Sequence, residues 1–415
     1  MRKLFLLFTC LLFVFAADVF AITDEEIFRI FQFSFVNPGA RAGAMGGAFV
    51  GLADDATAAE ANPAGLTILT KPEVSVEYRH TKFDSDRLNV FNSLPGLAQQ
   101  SQNTIEDLDQ PSFLAFVYPF GRSTVAFSRQ EVTRTKGQVD EDYFINLGPP
   151  FGITEFLTTG SIDEKIVNYN FSLGAKLSDH FSVGATGRYS RIDFKADVAN
   201  AIGPVVFSQT NTDDTDNAFA WNIGALYSGS HFSAGVVYKR NPKFELQGVE
   251  TDAIQSPVLH PGPFTNVLKV PDTFGLGISV KPNDAITVVS DLVRVEYSDL
   301  LEGLLVGRNV LTLGLQPGDV PFDIADAWEF HIGSEFVVFA GKVPVALRVG
   351  YYRQGPGNLF VDAGIGFDTI FPKGEYQNHF TMGNGFVFGP HFQVDWALDL
   401  ANLSDSFILS SVVRF

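Results

Sequence analysis

Apolar and polar residues alternate with a period of two along most of this sequence. In the stretch 170–177, Phe171, Leu173 and Ala175 alternate with polar residues or glycine, and the stretch 392–400 repeats the pattern. Successive side chains of a β-strand point to opposite faces, so this period predicts strands with one apolar and one polar face. No segment after residue 21 is a continuous apolar run long enough for a transmembrane helix.

The connections between these strands alternate between long and short. The short ones include 120–122, 178–179, 229–230 and 389–390, and the long ones include 84–111, 136–164 and 355–377. An even number of antiparallel strands with alternating connections is typical of a transmembrane β-barrel, whose closure pairs every backbone group within the bilayer. The fourteen predicted strands are 73–83, 112–119, 123–135, 165–177, 180–195, 218–228, 231–247, 272–280, 285–297, 327–339, 343–354, 378–388, 391–401 and 406–415.

The two faces of the strands also favour a membrane barrel over a water-soluble all-β protein such as a propeller or a sandwich. The apolar face carries aromatic residues near strand ends, as expected for girdles at the two membrane interfaces. The opposite face is polar or glycine, which suits a lumen better than a dry core. The girdle residues are Tyr189, Trp221, Tyr227, Tyr238, Trp328 and Trp396.

Composition narrows the possible partners and cofactors. Of the 415 residues, 46% are hydrophobic and only 18% are charged, and the formal net charge is −18. A polyanion lacks the clustered Lys and Arg that phosphate backbones require, so we expect no nucleic-acid partner. The single cysteine excludes a disulfide framework, a Cys-ligated zinc site and an iron–sulfur cluster.

The first 21 residues have the features of a secretory signal peptide. Arg2 and Lys3 form a positive start, an uncharged apolar stretch covers 4–17, and Val19 and Ala21 are small enough for signal peptidase. The stretch is too short for a membrane anchor. We expect cleavage near Ala21, which removes the only cysteine, Cys10. We also expect export to the bacterial outer membrane, with membrane lipid around the barrel.

The sequence ends on an alternating strand whose last residue is the aromatic Phe415. This ending resembles the assembly signal of bacterial outer-membrane barrels. The resemblance implies that the barrel-assembly machinery is a partner. Separately, we expect the barrel to be a monomer.

Residues 22–72 lack the alternation and are rich in small side chains. The stretch 37–51 has neither dinucleotide-binding spacing nor a P-loop Lys-Ser/Thr, and Asp54 and Asp55 would repel phosphate. Thr57-x-x-Glu60 predicts a capping box and a short helix that ends before Pro63. Small residues allow close packing against the inside of a barrel wall, so we expect a plug (the hatch). The alternative is a periplasmic tail.

The stretch 37–66, which ends in Asn62-Pro63-Ala64-Gly65-Leu66, resembles the amino-terminal hatch of the FadL/TodX family of outer-membrane transporters. The resemblance implies a fourteen-stranded barrel, a hatch at 22–72, a barrel at 73–415, and uptake of long-chain fatty acids or other hydrophobic compounds. The family's Asn-Pro-Ala motif maps onto Asn62, Pro63 and Ala64, which implies a role in gating.

Gly46 and Gly47 belong to the same hatch stretch, and we assign them to the gate with the Asn-Pro-Ala motif. A similar start, at 39–42 and 46–50, also occurs in a secretion-associated branch of barrels. Two alternatives therefore stay open: a barrel that serves as the partner of a secretion system, and a general diffusion porin.

The first, second and fifth predicted outer loops are more apolar than loops need to be, the fifth through Leu300, Leu301, Leu304 and Leu305. The first contains Phe91, Leu94 and Leu97, and the second contains Phe151 and Ile153. Exposed apolar clusters often mark binding surfaces, so these residues are candidates for capture of a hydrophobic ligand. The alternative is that the loops pack on one another and cap the barrel.

The third predicted strand departs from its alternation, because Arg129 and Glu131 share a face with Val125 and Phe127. A charge facing lipid is costly, so we expect a bulge or kink that turns these residues away. In the family, a kink here implies a side opening for the ligand. The alternative is a strand that extends above the membrane. The ninth strand has a similar slip at 289–291, for which the sequence offers no explanation.

No catalytic constellation accompanies the barrel pattern. The seven histidines are scattered, and no Gly-x-Ser-x-Gly or His-x-x-x-His spacing occurs, so we expect a passive channel and not an enzyme. We expect no cofactor and no metal. The acidic run 213–217 is either a solvated loop or a calcium site. An outer-membrane hydrolase with residues from distant strands is the remaining alternative.

Overall fold

The computed structural model describes residues 33–85, 91–94, 97–146, 152–252, 262–302, 322–361 and 373–415. The signal peptide and its cleavage site therefore lie outside the described residues. In chain order the strands are β1 (Glu73–Phe83), β2 (Phe91–Leu94), β3 (Leu97–Ser101), β4 (Thr104–Ile105), β5 (Leu108–Phe120), β6 (Ser123–Asn146), β7 (Ile153–Lys176), β8 (Phe181–Ile202), β9 (Val205–Ser228), β10 (Phe232–Arg240), β11 (Lys243–Asp252), β12 (Gly262–Lys269), β13 (Thr273–Asn283), β14 (Ile286–Val295), β15 (Phe322–Asp323), β16 (Ala327–Ala340), β17 (Val343–Gln354), β18 (Phe360–Val361), β19 (Gln377–Phe388), β20 (Phe392–Leu400) and β21 (Ser404–Arg414).

These strands form a closed antiparallel barrel, because β1 pairs with β21 along its whole length, from Glu73 opposite Arg414 to Phe83 opposite Ser404. The predicted number of fourteen barrel strands is confirmed. Two barrel strands are each split in two, β10 with β11 and β12 with β13. The short strands β2, β3 and β4 extend the sheet beside β6, and β15 pairs only with β18.

The hatch is a chain of short elements inside the barrel. It contains helices α1 (Ala40–Ala44) and α2 (Ala58–Ala61) and a 3-10 helix, Pro63–Ile68. A second 3-10 helix, Tyr297–Leu301, follows β14. None of the helices in the described part of the chain is long and apolar enough to cross a membrane.

Helix α2 ends at Ala61, before Pro63 as predicted, but the predicted capping box is wrong. The Thr57 side chain makes no capping hydrogen bond, and the Glu60 carboxylate binds Arg188 and Lys239 of the wall instead. Two cations in a buried site hold a carboxylate more strongly than a backbone N–H does, which is why the tertiary contact prevails.

The outer face of the barrel carries the apolar band that the alternation predicts. On β7, β8 and β9 this band ends at Tyr169, Tyr189 and Phe219, which are exposed aromatic residues. On β8 and β9 the next outward-facing positions are Arg191 and Asn217, and on β7 Lys165 follows the buried Val167. This change marks the upper edge of the membrane-spanning part of the wall.

Strands β6 to β9 continue far above this edge, so the predicted long loop 136–164 is mostly wrong. Residues up to Asn146 belong to β6 and residues from Ile153 belong to β7. Above the membrane the outer face contacts water and becomes polar. The apolar-outside signal that marks a membrane strand therefore disappears, although the ladder continues.

The acidic run 213–217 also lies in a strand, β9, and its carboxylates have protein partners. Asp213 binds Lys195 at 2.9 Å, and Asp214 and Asp216 accept the backbone N–H groups of Gln247 and Glu245. The acidic run therefore supplies acceptors for backbone N–H groups of β11 that precede its ladder with β9, which covers residues 248–252.

Candidate functional site

Glycine in the wall allows the hatch to approach the barrel closely. Gly46 of the hatch has a φ of +68°, and a Cβ there would lie 2.7 Å from the Tyr351 carbonyl oxygen. No side chain fits in that space. On eight strands of the wall, a Cβ added to one glycine would come within 3 Å of a hatch atom. These residues are Gly174, Gly184, Gly224, Gly235, Gly277, Gly333, Gly350 and Gly383.

Asn62, Pro63 and Ala64 form a buried turn where the hatch meets β8 and β9. The Asn62 side-chain oxygen accepts the Ala64 N–H at 3.2 Å. Its amide nitrogen donates to the carbonyls of Val50, 3.1 Å away in the hatch, and Ala225, 3.2 Å away in the wall. One fully buried side chain therefore joins two parts of the hatch to the barrel.

The second glycine of the predicted gate, Gly47, also has a positive φ, of +73°. Its carbonyl accepts a hydrogen bond from the Asn37 side chain at 2.9 Å. The carbonyl of Gly46 contacts Nδ1 of His331 at 2.7 Å, and its N–H donates to the Thr381 hydroxyl. The two glycines therefore lie in a tight turn that wall side chains hold in place.

Asp291 on β14 contacts the hatch, and the sequence reasoning assigned it no role. Its Oδ2 accepts the N–H groups of Phe49 at 2.6 Å and Val50 at 2.8 Å. Asp291 is buried, whereas Leu292 faces outward. The unexplained slip at 289–291 therefore marks a wall carboxylate that holds the hatch.

Charged groups connect the hatch to the wall at two places. In the first, Arg41 of α1 binds Asp54 at 2.6 Å and Glu335 at 3.0 Å, and Glu335 also binds Arg348. Arg348 continues to Asp395 at 2.7 Å. This network lies close to the short turns after β16 and β19, at the end of the lumen opposite to the long strands.

The second charged contact lies on α2. Glu60 binds Arg188 at 2.7 Å and Lys239 at 2.9 Å, and all three side chains are almost fully buried. Arg188 also donates to the side-chain oxygen of Asn241 at 2.8 Å. The hatch carboxylate is thus enclosed by two cations of the wall.

Above this triad the lumen is apolar. A cluster of buried side chains, most of them on strands from β4 to β16, lies there, and Phe33, the first described residue of the hatch, belongs to the cluster. Phe35 packs edge-on against Tyr297 at a ring distance of 6.0 Å. The central members are Ile162, Ile166, Ile192, Phe194, Phe244, Leu246, Leu268, Val295 and Tyr297.

One carboxyl group lies within this apolar cluster. Glu164 is fully buried on β7 above the membrane-spanning band, and among the described residues neither of its oxygens has a hydrogen-bond partner. Burial raises the pKa of Glu164 to about 8. The group is therefore largely uncharged at neutral pH.

The predicted bulge in the third strand, β6, is present between Glu131 and Thr133. The bulge reverses the alternation only from Thr133 onward, so Glu131 keeps the face of Phe127, yet it is buried while Phe127 is exposed. Arg129 donates to the Pro111 carbonyl at 2.7 Å and to Glu131 at 3.0 Å. The predicted bulge is therefore present, but it does not turn Glu131 away; ion pairs with Arg129 and Lys165 cover the carboxylate instead.

The ladders on the two sides of β6 differ. The ladder with β7 is continuous from Phe127 to Glu131, whereas the ladder with β5 ends at the pair Phe113 and Gln130. The next residues of β5 include Pro111, which has no N–H to donate. The wall therefore loses its ladder between β5 and β6 directly above this pair. Strand β6 also extends to Asn146, as the alternative interpretation proposed.

The predicted capture residues lie at the outer end of the barrel. Phe91 and Leu94 delimit β2, and Leu97 begins β3. Ile153 begins β7 and is 73% exposed, whereas Phe151 lies outside the described residues. The structure therefore places Ile153 on a strand end and not within a loop.

An acidic cluster beside the triad already contains a cation. Asp272, Glu296 and Asp299 present oxygens within 4.8 Å of one another. The Lys269 ammonium binds Asp272 and lies 3.3 Å from Asp299. This lysine neutralises part of the cluster, which accordingly gives no support to a metal site.

Comparison with known proteins places these features in context. A family model described as outer membrane protein transport protein (OMPP1/FadL/TodX) matches residues 28–408. No curated protein matches the sequence.

Solved structures share the fold at low sequence identity. A Pseudomonas aeruginosa FadL homologue has a TM-score of 0.64 at 13% identity, with 91% of this chain and 98% of that chain covered. The Pseudomonas putida toluene transporter TodX has a TM-score of 0.62 at 12% identity, covering 92% and 99%. The Ralstonia pickettii toluene transporter TbuX has a TM-score of 0.60 at 16% identity, covering 92% and 99%.

Proposed function

Because the chain belongs to the OMPP1/FadL/TodX family of outer-membrane channels for hydrophobic compounds, we propose that it passively takes up long-chain fatty acids or other hydrophobic compounds. The observation that carries the proposal is the apolar cluster directly above a hatch that is packed against the wall. Burial of an acyl chain in such a cluster is favourable by about 25 cal/mol per Å² of apolar surface.

The hatch supports this function over that of a general diffusion porin. Residues 37–68 are almost entirely buried inside the barrel, and wall side chains hydrogen-bond to their backbone. A porin needs an open aqueous lumen. In the proposed cycle, a ligand enters between the outer strand ends near Phe91, Leu94, Leu97, Phe151 and Ile153. A shift of the hatch at Gly46, Gly47, Asn62, Pro63 and Ala64 then opens the route.

The exit that we propose is lateral, between β5 and β6. Three features support it: the ladder ends at Phe113 and Gln130, Pro111 lacks an N–H, and Arg129 lies across the end of the ladder. Below the hatch the lumen is charged around Arg41 and Glu335, which is unfavourable for an apolar molecule.

A disulfide across this gap tests the exit. Phe113→Cys with Gln130→Cys, the last partners of the ladder, joins the two strands at the edge of the gap. Tyr118→Cys with Val125→Cys, which are ladder partners, is the matched control. We expect oxidation of the first pair to reduce uptake of labelled palmitate into vesicles and reduction to restore it. Equal uptake by the two oxidised pairs would favour an axial exit.

Native mass spectrometry of the purified mature protein tests the function itself. We expect an apolar molecule to co-purify and to be lost when Phe91, Leu94 and Leu97 are changed to Ser. A barrel without such a molecule but with a second polypeptide would instead support a secretion partner. The same spectra test the proposed monomer, and deletion of Phe415 tests its proposed role with the assembly machinery.

A further inference from the structure

We propose that Arg188, Lys239 and Asn222 form an anion site in the barrel wall that Glu60 of the hatch occupies, and that a ligand carboxylate displaces Glu60 and thereby releases the hatch. The inference rests on the proposed function, because it requires a hydrophobic ligand in the upper lumen. It narrows the ligand class to apolar molecules with one anionic head group.

The charge of the triad is unbalanced. Two cations, Arg188 and Lys239, contact one anion, Glu60, which leaves a net charge of +1 among three almost fully buried side chains. The acidic cluster around Asp272 is separated from them by Asn241, which contacts both sides, and Lys269 already binds that cluster. A buried excess charge is unfavourable unless an opposite charge binds there.

The site also has unused hydrogen-bonding groups. Within the described part of the chain, Arg188 Nε and both polar atoms of the Asn222 amide have no hydrogen-bond partner although they are buried. Asn222 is the cross-strand partner of Lys239, and Ala220 is that of Arg188. The site therefore offers N–H donors beyond those that Glu60 uses, as a second carboxylate would require.

The location of the site suits an amphiphilic ligand. Ile192 lies four positions above Arg188 on the inner face of β8, and both are buried. Phe244 follows Asn241 by three positions, and both Ile192 and Phe244 belong to the apolar cluster. A molecule whose tail lies in the cluster would place its head group at the triad.

Exchange of one carboxylate for another would couple ligand binding to the hatch. Glu60 lies on α2, whose last turn leads into Asn62 and Pro63. The residues on either side of Glu60 are held mainly through backbone, such as the Ala59 carbonyl, which accepts from Thr186 at 3.2 Å. The ion pairs of Glu60 are therefore the charged attachment of α2 to the wall, and a ligand anion competes for them directly.

Binding of palmitate and of methyl palmitate to the mature protein in detergent tests the site, because the ester has the same tail and no charge. We expect wild type to bind palmitate at least tenfold more tightly. Lys239→Met and Asn222→Leu should abolish the preference and leave ester affinity unchanged. Glu60→Gln should strengthen the binding of palmitate and leave the binding of methyl palmitate unchanged. Because Asn222 makes no side-chain hydrogen bond among the described residues, Asn222→Leu removes none of the contacts that hold the fold.

Release of the hatch is measured with Ala61→Cys, because the mature chain has no other cysteine and Ala61 is fully buried. We expect palmitate, but not its ester, to accelerate maleimide labelling, and Glu60→Gln to give fast labelling without ligand. An unchanged palmitate preference in Lys239→Met and Asn222→Leu would overturn the site. An equal rate of maleimide labelling with and without palmitate would overturn the coupling between ligand binding and the hatch. If neither probe binds wild type, the proposed function itself fails.

Discussion

The Asp291 carboxylate of β14 accepts the N–H of Val50 in the hatch at 2.8 Å, and the same oxygen accepts the N–H of Phe49. This contact joins two segments that are 241 positions apart in the chain. A wall carboxylate thus replaces the partners that these two backbone groups would have in a regular helix or strand, and it does so where the hatch turns between α1 and α2.

Removal of this carboxylate should loosen the hatch without opening the barrel. We expect Asp291→Ala to leave two buried N–H groups unpaired, at a cost of about 1.5–3 kcal/mol for each hydrogen bond to a charged group. Amide exchange at Phe49 and Val50 should become faster, while exchange within β14 stays slow. Asp284→Asn, in the exposed turn before β14, is the control. Unchanged exchange in Asp291→Ala would mean that packing alone holds the hatch.

A single methyl group on a wall glycine should displace the hatch. The methyl group of Gly350→Ala would lie 2.2 Å from the backbone N of Gly46, a clash that no side-chain movement can relieve. Gly187→Ala is the matched control, because Gly187 faces outward with open space where its Cβ would lie. We expect both variants to run as folded barrels on unheated gels, and only Gly350→Ala to expose the hatch to protease. Equal protection would contradict the close approach.

The buried carboxyl of Glu164 should make stability depend on pH. Its folded pKa is about 8, against a usual value of 4.5, so the folded state binds a proton that the unfolded state has lost. The free energy of unfolding should therefore fall as pH rises from about 4.5 to 8 and then level off. Glu164→Gln should remove this decline and stabilise the barrel at pH 8, measured by urea unfolding in lipid vesicles. A decline that persists in the variant would assign it to other groups.

We expect Arg348 to contribute strongly to the free energy of unfolding of the barrel. It is buried between Glu335 and Asp395, at 2.7 Å from each. Arg348→Met leaves both carboxylates facing each other, and breaking a buried pair costs about 3–5 kcal/mol. We expect a lower urea midpoint that Arg348→Met with Asp395→Asn partly restores. Lys176→Met, near an exposed turn, should have little effect. A midpoint unchanged by Arg348→Met would mean that water enters the network.

The sequence by itself determined the number of strands, their faces and the presence of a plug. Alternation such as that of Phe171, Leu173 and Ala175 is sufficient, because lipid on one side and a polar lumen on the other impose a period of two on every membrane strand. The small residues around Gly46 and Gly47 likewise indicate close packing without any knowledge of the partner.

Only the tertiary structure decided which side chains meet. The sequence predicts that Glu60 caps a helix, yet in the structure it binds Arg188, 128 positions away. The sequence shows Asp291 only as an interruption of the alternation in a strand, yet in the structure it accepts the N–H of Phe49 in the hatch. Closure of the barrel brings these residues onto the hatch through pairings with no local signature. The extension of β6 to Asn146 was hidden for a related reason. Above the membrane the chain keeps its hydrogen-bonded ladder but loses the lipid contact that marks a membrane strand in the sequence.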